Sequence, residues 1–439
     1  MNRDLAPIEC DLTVIGAGMT GMAATVFAVN RGLSVCQVGC MREIGLASGL
    51  FDLLGVHPIS NGKQWEDPWA GIDALIHDIP QHPYGRLSQV DILAAFDELL
   101  TFLENSGLPY TRHPEHNTRI ITHVGTIKTT YCVPQTMWNG VEAFKQKRPS
   151  LIVDFSGLDG FSARLIVDSL KMKWPGLRAI RITFPGEGPM ITALPEHVAN
   201  ALTVPQNRER LARLIRPHIR DAQVMGMPAV LGLYQSTKVA ADIEQRIGVP
   251  IFEISTMPPS IPGLRLKEAF EQGLREKRPY YFSQGSVLDV KQETTRKFKI
   301  TIGSAGPTRK ILSKGIILAT GRFIGGGLIA GRKRIRESIF DLPLHQPETR
   351  AQWHRENFLD RRGHQINQAG LEIDDHFRPL GFNGKPAFNT LFAAGSILAH
   401  QDWKRMKCGS GLAVATAFGA VKSFVKEFIH KQAKYENRN

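Results

Sequence analysis

The sequence predicts an α/β protein with a Rossmann-like, doubly wound core and an inserted second α+β lobe, and three separated stretches carry that prediction. In the first, the apolar run Leu12 to Ile15 ends in Gly16-Ala17-Gly18-Met19-Thr20-Gly21, followed by a small-residue helix and a second β-like run, Leu33 to Val38. In the second, Gly315 to Leu318 reads as a buried strand ending in Ala319-Thr320-Gly321 and the run Gly325-Gly326-Gly327. In the third, Thr390 to Ala394 is a short apolar strand ending in Gly395-Ser396, with Cys408-Gly409-Ser410-Gly411 opening a helix to about His430.

The first stretch has the order strand, tight turn, helix, strand that a dinucleotide site requires. Gly16 permits the turn, Gly18 lets a pyrophosphate approach the backbone, and Gly21 lets the helix pack closely on the strand. The first N–H groups of the helix then face the phosphate. The acid expected about 20 residues past the glycines to hold the ribose hydroxyls is absent. Val38-Gly39-Cys40 stands there, and the first acid is Glu43. FAD, NAD and a smaller cofactor such as FMN all stay open at this point.

At 439 residues the chain exceeds one core and predicts two or three lobes at about 150 residues each. Hydrophobic residues at 42% and charged residues at 22% match a globular protein with a sizeable core. The net charge of +13 points to an anionic counterpart such as a phosphate-bearing ligand or an acidic partner. That charge is dispersed and no nucleic-acid recognition module occurs, so nucleic acid is not the expected partner. The five cysteines, Cys10, Cys36, Cys40, Cys132 and Cys408, form no CxxC pair, so neither an iron–sulfur nor a zinc site is expected. A reducing cytoplasm fits that cysteine usage. The N-terminus lacks the apolar run of a signal peptide, and the longest apolar candidate, Leu412 to Val421, falls short of the roughly 18 residues of a spanning helix.

Between the first and second stretches, Ala47, Ser48 and Gly49 are small enough to let backbone approach a flat ring. Residues 58 to 85, with Pro58, Pro68, Pro80 and Pro83, read as a surface connection. A helix follows from Gln89 to Glu104, with Ile92, Phe96, Leu99, Leu100 and Leu103 on one face. Ile120 to Val133 alternates as a hairpin, and the runs LIVDF and RAIRITF read as strands flanking a helix. Helices are expected at Glu209 to Arg220 and Ala240 to Gly248. The prolines Pro258, Pro259 and Pro262 stop regular structure, so the next helix is expected from Lys267 to Glu276. Phe282 to Val290 and Lys297 to Ile302 read as a β-meander pair. In the last helix Val414, Phe418, Val421, Val425 and Phe428 form a core-facing stripe. The domains so expected are a first cofactor-binding part at 1–57, an inserted substrate or cap lobe at 58–250, and a second cofactor-binding part with the C-terminal helix at 251–439.

Taken together, GAGMTG, LATG and LFAAGS with the GSG helix resemble the two-dinucleotide-binding-domain flavoproteins, which implies an FAD/NAD(P)-binding fold. Where many relatives carry Gly-Asp after the last strand, this chain has Gly395-Ser396. A closer resemblance is to the B-subunit family of anaerobic glycerol-3-phosphate dehydrogenase. It is carried by Ser48 to Leu54, by Ser255-Thr256-Met257-Pro258-Pro259-Ser260-Ile261-Pro262-Gly263-Leu264-Arg265-Leu266, by Leu318 to Gly321 with Gly325 to Leu328, by Ile335-Arg336-Glu337, and by Phe392 to Ser396 with Cys408 to Gly411. The resemblance implies a flavin, usually FMN, with FAD as the alternative. It also implies a larger FAD-containing catalytic subunit and an iron–sulfur subunit that docks at the cytoplasmic face of the cell membrane. The implied reaction is oxidation of sn-glycerol 3-phosphate to dihydroxyacetone phosphate with a quinone as acceptor. A non-catalytic electron-transfer or scaffold subunit, or another flavin oxidoreductase of the same fold, is the alternative.

On this basis the expected cofactor-binding residues are Gly16, Ala17, Gly18, Met19, Thr20, Gly21, Ser48, Gly49, Thr320, Gly321, Gly395, Ser396, Gly409, Ser410 and Gly411. The last three open a helix whose N-terminus eases negative charge on a reduced flavin. Oxidising a secondary alcohol needs a base, for which His57, His123 and His400 are candidates and His400 is preferred. A phosphate needs a cation, and among Arg265, Arg322, Lys404 and Arg405 the first two lead because a guanidinium offers bidentate geometry. The tract Arg332-Lys333-Arg334 with Arg336 reads as a solvated surface, or one facing anionic lipid or an acidic partner.

Overall fold

A computed structural model describes residues 6–41, 44–185, 194–283, 285–295, 297–303 and 308–436, with side chains as far as residue 427. Glu43 and the side chain of Phe428 lie outside the described residues. The chain divides into two compact units. One comprises Met1–Glu43, Asp52–Phe102 and Leu274–Asn439, and the other Ile44–Phe51 and Leu103–Gly273. Residues 58–102 therefore pack with the first unit and 251–273 with the second, whereas the sequence division falls at 57/58 and 250/251.

The first unit is built on a seven-stranded sheet. Its order is Tyr280–Phe282, Val35–Val38, Ile8–Ile15, Arg309–Leu318, Lys297–Gly303 and Ser286–Thr294, with Leu391–Ala393 also paired to Arg309–Leu318. Arg309–Leu318 is long enough to serve two neighbours. Its first half runs antiparallel to Lys297–Gly303, and its last three residues run parallel to Leu391–Ala393. The last four residues of each central strand, Leu12 to Ile15 and Gly315 to Leu318, are buried at successive positions, as covering on both faces demands. The helix Met19–Asn30 covers the sheet and packs on the terminal helix, where Phe27 and Phe418 meet edge to face at 5.4 Å.

The terminal helix runs from Gly409 to Glu436, past the expected end at His430. It buries Val414, Phe418, Val421 and Phe424, so Phe424 takes the core position expected of the half-buried Val425. The expected surface connection at 58 to 85 contains the helix Pro68–Asp78. Asp67 caps it by accepting the N–H groups of Trp69 and Ala70, and Pro68 stands where a missing N–H costs nothing. The expected meander is also redistributed. Tyr280–Phe282 leaves it to extend the sheet beside Val35–Val38, and Ser286–Thr294 pairs with Lys297–Gly303.

The second unit carries a four-stranded sheet, parallel throughout, in the order Ile251–Ile254, Val224–Pro228, Ser150–Phe155, Leu177–Ile182. Every residue of Ser150–Phe155 is buried, the pattern of a central parallel strand. The expected hairpin appears as Thr118–Ile121 against Ile127–Thr130. The proline-rich stretch enters its helix earlier than expected, at Ile261, because Pro262 in a first turn lacks only an N–H that needs no partner there. Ser260 starts that helix by accepting the Gly263 N–H on its hydroxyl at 3.2 Å and the Leu264 N–H on its carbonyl at 3.0 Å.

Candidate functional site

The parallel strands of the first unit end in one row. Phe282 stands opposite Val38, Val38 opposite Ile15, Ile15 opposite Leu318, and Leu318 opposite Ala393. The ladder closes one residue further on. Gly16 donates to Val38 O (2.8 Å), Gly39 to Phe282 O (3.2 Å), Ala319 to Ile15 O (2.8 Å) and Ala394 to Leu318 O (3.0 Å). Register alone thus brings Gly16, Gly39, Ala319 and Ala394 to the carboxyl edge of the sheet. That edge is where open α/β sheets bind their ligands.

The three glycine turns interlock there. Gly16 has φ +122°, and a Cβ on it would lie 2.1 Å from Ala319 O. A Cβ on Gly21 would lie 2.0 Å from Gly16 O, the close helix–strand approach the sequence predicts. Gly395, at φ +78°, would meet the Thr20 hydroxyl at 2.0 Å, and the Ser396 hydroxyl is 3.7 Å from where a Gly321 Cβ would stand. Gly18 is the N-cap of Met19–Asn30 and supplies no side-chain cap, which leaves the first N–H groups of that helix to another acceptor. The buried Gly395 N–H donates to Thr416 Oγ1 at 2.8 Å, and Thr416 in turn donates to Leu412 O at 2.6 Å. Thr416 was not among the expected residues, although a threonine inside the apolar run LAVATAFGAV is a visible anomaly.

The edge also holds unspent polar groups. Thr320 Oγ1 and Gln37 Oε1 are buried and have no hydrogen-bond partner among the described residues. Gln37 lies at the end of the second strand, and its amide N–H donates to Gly16 O at 3.2 Å. A glycine cradle, an uncapped helix start and unsatisfied polar atoms at a strand edge fit a phosphate-bearing flavin.

Residues 11–412 match a protein family described as "FAD binding domain". The chain belongs to that family. As an FAD binding domain protein it binds flavin, the chemistry for which its sheet edge is shaped. Its relatives include the B subunit of anaerobic glycerol-3-phosphate dehydrogenase from Vibrio vulnificus (strain YJ016), 27% identical over 94% of this chain and 96% of the relative. A probable B subunit of the same enzyme from Halobacterium salinarum (strain ATCC 29341 / DSM 671 / R1) is likewise 27% identical, over 94% of this chain and 97% of the relative. The resemblance to these B subunits seen in the sequence therefore runs through nearly the whole chain. The solved 3-ketosteroid delta1-dehydrogenase from Sterolibacterium denitrificans is 11% identical, covering 95% of this chain and 100% of that one at a TM-score of 0.45.

Several expected site residues of this FAD binding domain are otherwise employed. Arg265 is not a free phosphate ligand. It is 3% exposed, its Nη1 and Nη2 donate to Glu253 at 2.5 and 2.8 Å, and its Nε donates to Gly232 O at 2.7 Å. Burial pushes the Glu253 carboxyl up, but Arg265, Thr136 and the Leu231 N–H outweigh it and hold the carboxyl below its ordinary value. Arg322 is committed as well. It donates to Ser396 O at 2.8 Å, Gln401 O at 3.2 Å and Asn367 O, and burial lowers its pKa to about 10. It remains charged and pins the Gly395 turn.

Ser410 and Gly411 are taken up by backbone. The Asp52 N–H donates to the Ser410 hydroxyl, and the Gly411 N–H donates to Asp52 O, each at 2.7 Å. At Gly409, a Cβ would meet the Trp403 ring at 2.7 Å. Ser48 and Gly49 belong to the second unit. Their carbonyls accept from the Ser255 and Tyr110 hydroxyls, and a Cβ on Gly49 would lie 2.5 Å from Pro262 Cβ. Among the candidate bases, His57 is buried against Asp78 (2.8 Å) and His123 lies in the hairpin turn. His400 is bonded through Nε2 to Glu372 at 2.9 Å and packs on His345, with the two ring centroids 4.1 Å apart.

Proposed function

We propose that this chain is the flavin-bearing B subunit of an anaerobic glycerol-3-phosphate dehydrogenase, acting in the oxidation of sn-glycerol 3-phosphate to dihydroxyacetone phosphate with a quinone as eventual acceptor. The observation that carries this reading is the likeness to proteins of that name along 94% of the chain, on a sheet edge suited to flavin. When bound, the flavin supplies the two-electron acceptor for the alcohol carbon. The chain's own residues bind and orient it. The turn Gly16 to Gly21 and the helix start behind Gly18 receive phosphate, and Thr320 offers a hydroxyl at the neighbouring strand end. Thr416 and Arg322 hold the third turn, Gly395-Ser396, in place. Gly39 in place of an acid that would hold the adenosine ribose favours FMN, with FAD as the alternative.

The partners in this reading are a larger FAD-containing catalytic subunit and an iron–sulfur subunit at the inner face of the cell membrane. No helix among the described residues is long and apolar enough to cross a membrane, so the attachment we propose runs through the partners. Exposed Ile324, Phe358 and Phe382 supply apolar surface for such contacts.

A second reading, a non-catalytic electron-transfer or scaffold subunit, is favoured by one observation. Arg265 and Arg322, the expected phosphate holders, are both engaged internally, which supports binding of the substrate by the companion chain. The absorbance spectrum and extracted-cofactor chromatogram of the purified chain, taken before and after anaerobic glycerol 3-phosphate, separate the two. Bleached flavin supports the catalytic role, and the chromatogram decides FMN against FAD. Flavin that stays oxidised with substrate alone, but is reduced once the companion chain is added, supports the second. A folded chain that takes up neither FMN nor FAD overturns the catalytic and the electron-transfer roles and leaves only a scaffold.

A further inference from the structure

His345, Glu372 and His400 each present a ligand atom, and these atoms all lie within 4.8 Å of one another. We propose that the three side chains form a site for one divalent transition-metal ion, bound by two imidazole nitrogens and one carboxylate oxygen, with the remaining positions open to water. The donor set suits ions of the zinc, cobalt and iron(II) kind rather than calcium or magnesium, which take oxygen ligands. An ion held at about 2.1 Å from each donor needs donors roughly 3.0–3.4 Å apart. His400 Nε2 and Glu372 Oε1, 2.9 Å apart, are almost at that spacing already. The His345 ring is exposed and lies 4.1 Å from that of His400 between centroids, which leaves its ligand atom within a small rotamer shift of the other two.

The backbone holds the three segments in position before any ion arrives. His345 and Gly370 exchange both N–H···O bonds, at 2.9 and 3.0 Å. Leu371 donates to Ile397 O, Ala399 donates to Leu371 O, and His400 donates to Gln368 O, at 2.9, 2.9 and 3.0 Å. His400 itself sits at φ +62°, a conformation a non-glycine residue keeps only where its surroundings impose it.

A plain His400–Glu372 ion pair has no need of His345, yet all three converge. An ion here would tie together the segments whose carbonyls, at Asn367, Ser396 and Gln401, hold Arg322. The proposal is independent of the glycerol 3-phosphate reading and needs no cysteine.

The test is isothermal titration of the chelator-stripped full chain with zinc, together with the visible spectrum of the cobalt-loaded chain. One zinc per chain at micromolar or tighter Kd is expected, with cobalt bands typical of nitrogen and oxygen ligation and a raised melting temperature. His345→Gln, His400→Gln and Glu372→Gln should each weaken binding at least about tenfold, whereas His197→Gln, at a histidine of the second unit, should leave it unchanged. If His400→Gln fails to fold by circular dichroism, the exposed His345→Gln still decides. No saturable binding, or binding that persists undiminished in His345→Gln and Glu372→Gln, overturns the site.

Discussion

Gly16 and Ala319 stand so close that a Cβ on the glycine would fall 2.1 Å from the alanine carbonyl oxygen. This contact joins the first glycine turn to a strand end far later in the chain, and both flank the sheet edge assigned to flavin. Gly16→Ala must relieve a backbone at φ +122° and displace that carbonyl. A loss of about 2 kcal/mol or more is expected in urea unfolding, with a lower flavin-to-protein ratio after purification.

Gly18→Val separates cofactor binding from folding. At φ −75° and ψ −174° Gly18 has extended backbone that valine adopts without strain, and it makes no side-chain cap to lose. The variant should stay folded, at a cost of about 0.5–2 kcal/mol for a poorer N-cap, yet carry no flavin, because the side chain fills the approach to the helix start. Normal flavin content would sink the assignment of the phosphate to this turn.

Thr416→Val keeps the volume of a buried side chain but removes the acceptor of the Gly395 N–H. Leaving that N–H unsatisfied costs about 1–3 kcal/mol. Thermal unfolding should show the loss, and flavin should dissociate faster on dilution because the third turn is no longer held.

The Arg265–Glu253 pair is a stability element of the second unit. Breaking it with Glu253→Ala leaves a buried guanidinium without its carboxylate and should cost about 3–5 kcal/mol. The folded-state pKa of Glu253 is depressed, so its stabilisation is fully present above the unfolded value of about 4.3 and is lost as pH falls through the folded value. Acid unfolding followed by circular dichroism should accordingly be shallower in Glu253→Gln/Arg265→Met than in the parent. Unchanged acid unfolding would show that this pair does not set the low-pH limit.

What the sequence determined by itself was local. GAGMTG, LATG and LFAAGS announce strand ends, because a tight turn and a close helix–strand approach demand glycine at fixed short spacings. Apolar patterning likewise predicts a helix from Gln89 to Glu104 and the strand LIVDF, which the fold shows as Gln89–Asn105 and Ser150–Phe155. Tertiary structure decided which of those pieces meet. Only the register Val38, Ile15, Leu318, Ala393 sets the three turns on one edge. Only the folded chain shows that Arg265 is spent on Glu253 and Arg322 on three carbonyls, since a guanidinium looks equally available in any sequence. Thr416 and the His345–Glu372–His400 cluster were beyond the reach of spacing for the same reason. Their partners lie on different segments, and pairing across a fold depends on strand register and chain packing, which no local pattern encodes.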